Sequence, residues 1–159
     1  MKLQAPALLL LLLTVIASCA QNTGPAGSSS GGSPQSRAEA EEDIAEAVFR
    51  YQFDHNASGI QKQAARYCLS LPGDRSPGEA FLQRFAGNQP PVASAEECER
   101  VGGKNLYFRV QKFDWRKDNV VWVRGGYYEG NLSSSVEAFQ VVRQNGRWVV
   151  KGSRMEMIS

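Results

Sequence analysis

The apolar residues of this 159-residue chain change their spacing once, near residue 104, and that change limits the fold to one class. Before it they recur every three or four positions, the period of a helix buried on one face. After it they alternate, the period of a strand with one side in a core. In the first half, three serines stand three residues ahead of a glutamate, the pattern of a helix-opening capping box. Ser36 with Glu39 opens a long helix, Ser76 with Glu79 a second, with Pro77 at its first position, and Ser94 with Glu97 a short third. The first helix carries Ala40, Ile44, Ala47, Val48 and Tyr51 as its apolar stripe, widened by Phe49 and Phe53. A fourth helix is expected over Ser58 to Leu69, with Ile60, Ala64, Tyr67 and Cys68 on one face. Leu71-Pro72-Gly73-Asp74, Gly87, Pro90-Pro91 and Gly102-Gly103 break the chain between these elements.

Four strands follow. Asn105 to Trp115 sets Leu106, Phe108 and Val110 against Tyr107, Arg109 and Gln111. Lys117-Asp118-Asn119 turns the chain into Val120 to Tyr128, and Leu132 to Arg143 makes the third strand. Asn145-Gly146, both tolerant of positive φ, turns it into the last, from Arg147 to about Met157. Gly125-Gly126 reads as a bulge or bend. Short turns pair successive strands antiparallel. The expectation is therefore an α+β domain over 38–159: N-terminal helices packed on a C-terminal four-stranded antiparallel meander.

The first residues are of another kind. Met1-Lys2 is followed by an unbroken leucine run, Leu8 to Leu13, extended by Val15 and Ile16. That stretch is shorter than the ~20 residues that span a bilayer, and has the length of a signal-peptide core. Ile16-Ala17-Ser18-Cys19 then resembles the lipobox of bacterial lipoproteins, in which the cysteine receives diacylglycerol. The resemblance implies a leader at 1–18, cut before Cys19, and a protein held on a membrane by lipid on that cysteine. Ala20 in place of aspartate is similar to the pattern of lipoproteins sent to the Gram-negative outer membrane, facing the periplasm. Ser18 and Ala20 also suit ordinary signal peptidase, so cleavage after Ala20 stays open. Residues 19–37 read as the lipidated cysteine and a Gly/Ser/Pro-rich tether that cannot bury apolar surface. The eighteen residues from Ala20 to Arg37 would span roughly 25 Å as a flexible coil.

In an oxidising envelope, Cys68 and Cys98 remain as an even pair, and a disulfide between them is expected over two separate core thiols. One histidine and no close cysteine pair argue against a metal, and nothing implies a cofactor. Charge is divided along the chain. Residues 38–103 carry six basic and eleven acidic side chains, residues 104–159 ten and five. Either the halves face each other and compensate, which is the expectation, or each offers a patch to a partner; nucleic acid is not an expected partner.

The order of one long helix, short helices and a closing meander resembles the NTF2-like (cystatin-like) cone. The stretch Phe139-Gln140-Val141-Val142-Arg143-Gln144-Asn145-Gly146-Arg147-Trp148-Val149-Val150 is similar to the closing hairpin of such domains. That resemblance implies a pocket between helix and sheet, which some members use for isomerisation or dehydration. Acid–base work of that kind needs a base and an acid held in an apolar cavity. Tyr51, Asp54 and His55, at the end of the first helix, are the candidates, although a histidine there more often bonds the last carbonyls. Trp115, Trp122, Tyr127, Tyr128 and Trp148 read as core and cross-strand packing before they read as a ligand site. The expected function is a non-enzymatic envelope module that binds a small ligand or another envelope protein. An enzyme using the pocket, and an assembly or inhibitor protein presenting a sheet face, are the alternatives.

Overall fold

The computed structural model describes residues 35–129 and 133–158. The leader, Cys19 and most of the tether lie outside them, as does Leu132, the expected start of the third strand of the meander. Three α-helices, α1 (Arg37–His55), α2 (Glu79–Leu82) and α3 (Ala95–Val101), accompany six strands among the described residues. The strands are β1 (Arg66–Ser70), β2 (Val92–Ser94), β3 (Asn105–Lys117), β4 (Val120–Tyr128), β5 (Ser135–Gln144) and β6 (Arg147–Ile158). They form one sheet in the order β2-β1-β3-β4-β5-β6. β3 to β6 are the expected antiparallel run, but β1 pairs parallel with both β2 and β3, so the sheet is mixed and has six strands where four were expected.

The expected helix over Ser58 to Leu69 is the main correction. Residues 61–63 make a single 3-10 turn, and β1 follows. Tyr67, Cys68 and Leu69 are all buried because β1 lies inside the sheet and is covered on both sides. A short apolar run of this kind has no period that separates strand from helix. The box expected at Ser76 also fails. α2 is capped by the backbone of Gly78, and the Ser76 hydroxyl instead donates to the Glu96 carboxylate, 3.0 Å away. The other two serines do cap. Ser36 and Glu39 form the full reciprocal box, and Ser94 Oγ accepts from the Glu97 N–H at 3.1 Å.

α1 lies against the face of the sheet called inner here. Ala40, Ile44, Val48, Phe49 and Phe53 are buried as the stripe requires; Ala45 and Gln52 join them, while Ala47 and Tyr51 are only partly covered. Opposite stand Leu106, Phe108, Val110, Val121, Val123, Phe139 and Val141, all essentially without solvent contact. Phe81 and Phe85 close the side, their ring centroids 6.2 and 6.4 Å from that of Phe49. Arg84 holds this flank to α1: its Nη1 lies 2.7 Å from Asp43 Oδ1 and its Nη2 3.1 Å from Glu42 Oε2. Burial opposes the Arg84 charge, but the hydrogen bonds it donates to Asp43 and Glu46 outweigh that and raise the guanidinium pKa.

α3 packs on the other, outer face, over β1 and β2. The Cys68–Cys98 disulfide fastens it there, as expected, with Cα atoms 6.1 Å apart. Two places within the strand-rich half depend on glycine. Gly125 and Gly126 lie where the sheet bends beside a register shift between Val110 and Lys112. A side chain on Gly126 would place Cβ 2.0 Å from the Ser135 carbonyl oxygen. Asn145 and Gly146 take φ of 49° and 78°, the positive values expected of the closing turn.

Two outcomes follow from this packing. Replacing both cysteines by alanine removes a cross-link spanning 30 residues, worth about 3 to 4 kcal/mol, and urea unfolding should show a loss of that size. Gly126→Ala should cost about 3 kcal/mol, while Gly59→Ala, which meets nothing within 4 Å, should stay within about 0.5 kcal/mol by the same measurement.

Candidate functional site

The last turn of α1 brings two of its three candidate residues together. The His55 ring stacks on that of Tyr51, centroids 4.1 Å apart and 4° from parallel. Its Nδ1 lies 2.9 Å from the Tyr51 carbonyl oxygen, so in that bond Nδ1 carries the proton and the ring caps a helix-end carbonyl. His55 and Asp54 are exposed, and among the described residues no hydrogen bond or ion pair joins Asp54 to either neighbour. Tyr51 sets its ring edge-on to Phe139, 5.9 Å between centroids. The three do not converge inside a cavity.

The space that a pocket between helix and sheet would need is filled by rings. Phe53 touches Tyr67, Phe85 and Phe108 with centroid separations of 4.8, 5.7 and 5.1 Å. Trp115 and Trp148 meet at right angles, 5.5 Å apart, where α1 begins. Burial raises the Tyr67 phenol above its ordinary value, as expected of a hydroxyl in a core. Polar groups that the sequence analysis did not single out are buried near the helix end. Glu129 accepts from the Ser58 hydroxyl and from the Ile60 N–H, tying the loop after α1 to the end of β4. Glu137 accepts from the Ser135 hydroxyl at 3.3 Å. Gln52 is 3% exposed, and neither atom of its amide has a partner among the described residues. Glu137 stands in phase with the inward Phe139 and Val141 of β5, whereas Glu129, past the end of β4, has no period to mark it. Among the described residues no cluster of histidine, cysteine and carboxylate could hold a metal ion. No described helix is long and apolar enough to cross a membrane.

The outer face of β3 to β6 is different: among the described residues α3 reaches it at Tyr107, and its far part is lined by the strands' own side chains. Register places its side chains in cross-strand rows. Lys112, Arg124, Ala138 and Arg154 stand side by side on β3, β4, β5 and β6. The neighbouring row is Asp114, Trp122, Gln140 and Gly152. The small Ala138, between long neighbours, leaves a groove of about 420 Å³ beside the half-buried Trp122. A second groove of about 460 Å³ lies nearer α3, with Tyr107 and Tyr128 6.2 Å apart, Arg109, and the carboxylates of Asp74, Glu96 and Glu99. The five aromatic residues expected as packing divide by face: Tyr127 and Trp148 belong to the core with Trp115 packed against it, the two tryptophans also edging a groove beside Arg37, whereas Trp122 and Tyr128 line the grooves of the outer face.

The charge division is not carried by ion pairs between the halves. Every ion pair among the described residues stays within its own half: Arg50 and Arg84 with Glu42, Asp43 and Glu46; Arg116 with Asp114; Arg124 and Arg154 with Glu156. The halves do not neutralise each other by pairing. Strand alternation turns much of the second half's excess toward the outer face, where a charged side chain keeps its water. The bulge at Gln111 is what carries Lys112 into the same row as Arg124. The excess of base after residue 104 was the signal for this surface, and the bulge is why the row itself was not visible. Comparison of the chain with known protein families, with curated proteins and with solved structures finds no match.

Proposed function

We propose that the chain is a bacterial envelope lipoprotein whose folded domain, an NTF2-like module, works by binding at the outer face of its sheet. The anchor rests on the leader, with Ile16-Ala17-Ser18-Cys19 at its end and a Gly/Ser/Pro-rich stretch after it. Acyl chains contribute about 0.8 kcal/mol per buried methylene, so two or three on Cys19 hold a protein on a membrane stably. A long first helix on one side of a sheet that closes with an antiparallel run supports the NTF2-like reading.

One observation carries the choice of binding over catalysis: side chains fill the inner face, and the outer face offers open grooves of ligand size. An acid–base site needs its groups shielded from water and aimed at one point. Tyr51, Asp54 and His55 lack that arrangement, with His55 capping its own helix.

The anchor is tested by expressing the full chain in bacteria fed labelled palmitate. The wild type should carry label and sediment with membranes. Cys19→Ala should carry none and be released to the soluble fraction, and label persisting on that variant would disprove the anchor.

A further inference from the structure

The row Lys112–Arg124–Ala138–Arg154 breaks a rule of sheet construction. Like charges directly opposite one another on neighbouring strands are destabilising, yet Lys112 faces Arg124 across β3 and β4. Arg124 and Arg154 then share one carboxylate, Glu156, at 3.2 and 3.7 Å. Lys112 has no hydrogen bond or ion pair among the described residues. Arg116 and Asp114 neutralise each other at 2.6 Å, so the groove holds two positive charges more than its carboxylates cancel. Violations of local rules concentrate where a surface serves something other than the fold.

Trp122 supplies the second half of the argument. The Arg154 guanidinium sits 5.7 Å from the centre of its ring. That contact uses the flat face of the guanidinium and leaves its N–H edge free to meet an anion. Arg154 and Arg124 are 71% and 52% exposed, so their bonds to Glu156 are weak and open to competition. The floor beside them, Trp122 and Ala138, is apolar. A bare inorganic anion has no use for such a floor, and an aromatic acid has none for the carboxylates on the rim. A saccharide uses both. Its polarised C–H face suits the negative face of an indole, and its hydroxyls need donors and acceptors together.

We propose that this groove binds an anionic saccharide, a sugar carrying phosphate or carboxylate, with the anion between Arg124, Arg154 and Lys112 and the ring over Trp122. The inference rests on the reading of the domain as a binding module and names its ligand class.

The test is an NMR titration of the mature chain in zwitterionic amine-oxide micelles, following the Trp122 indole N–H. Glucose 1-phosphate is the probe; glucose and inorganic phosphate are its two halves. Glucose 1-phosphate should shift the indole signal in a saturable way, at least tenfold more tightly than either half. Trp122→Ala, followed through backbone signals of β4, should weaken it about three- to tenfold. Arg124→Gln with Arg154→Gln should weaken it more than tenfold and reduce its salt dependence to what Lys112 alone supplies. Ala138→Leu fills the groove without altering charge and should block binding while the rest of the spectrum stays folded. Inorganic phosphate binding as tightly as the sugar phosphate, or tight binding surviving the arginine or Ala138→Leu variants, would overturn the proposal. So would the lack of any shift in a folded wild type. Palmitate labelling of Cys19 is unaffected by these outcomes, so failure of the ligand class and failure of the anchor can be told apart.

Discussion

The packing of α1 into the inner face of the sheet is the contact on which the other features depend. Its buried stripe, from Ala40 to Phe53, meets the inward side chains of β3, β4 and β5 with almost no solvent left between them. Removing several large apolar side chains from water at once is the main favourable term available to a domain of this size. It also decides which side of the sheet has work left to do. With Phe49, Phe53, Phe81, Phe85 and Phe108 interlocked, the inner face has the close packing of an ordinary core. The outer face of β3 to β6 contributes little to that core, so its residues are free to carry charge.

How the charge is carried follows from strand geometry. Alternation gives each strand one outward residue in two, and register lines these up across strands. Where bulky apolar residues would serve stability best, β3, β4 and β6 present Lys112, Arg124 and Arg154, and β5 presents only Ala138. The acidic excess is elsewhere, on α1 and α3, and its ion pairs stay within the first half. The disulfide belongs to the same division of labour: it pins α3 over β1, where the outer face of the sheet is buried.

The parts of this fold legible in the sequence were those with a local physical cause. Ser36 and Glu39 reveal a helix start because their side chains satisfy backbone donors within one turn. Asn145-Gly146 reveals a hairpin because few other residues accept its dihedrals. The inward residues of β3, up to Val110, follow from alternation alone. What stayed hidden depends on distant partners. β1 is a strand because β2 and β3 flank it, and nothing within Arg66–Ser70 announces that. Ser76 caps no helix because Glu96, twenty residues away, takes its hydroxyl. For the site, the expected triad was chosen by nearness in sequence, and the helix end turned His55 back on its own backbone. The groove was legible only as an excess of base after residue 104. Its location needed the register shift after Val110, which no count of charges contains.

That the inner face is closed, and that any ligand must therefore meet the outer one, can be tested directly with benzene, which enters dry apolar cavities of sufficient size. Methyl-resolved NMR spectra of the mature chain would be compared with and without saturating benzene. The methyl signals of Ile44, Leu69, Leu106 and Val123 should keep their positions and show no magnetisation transfer from the probe. Saturable shifts of those four, with transfer from benzene, would mean an open pocket beneath α1 and would contradict the account.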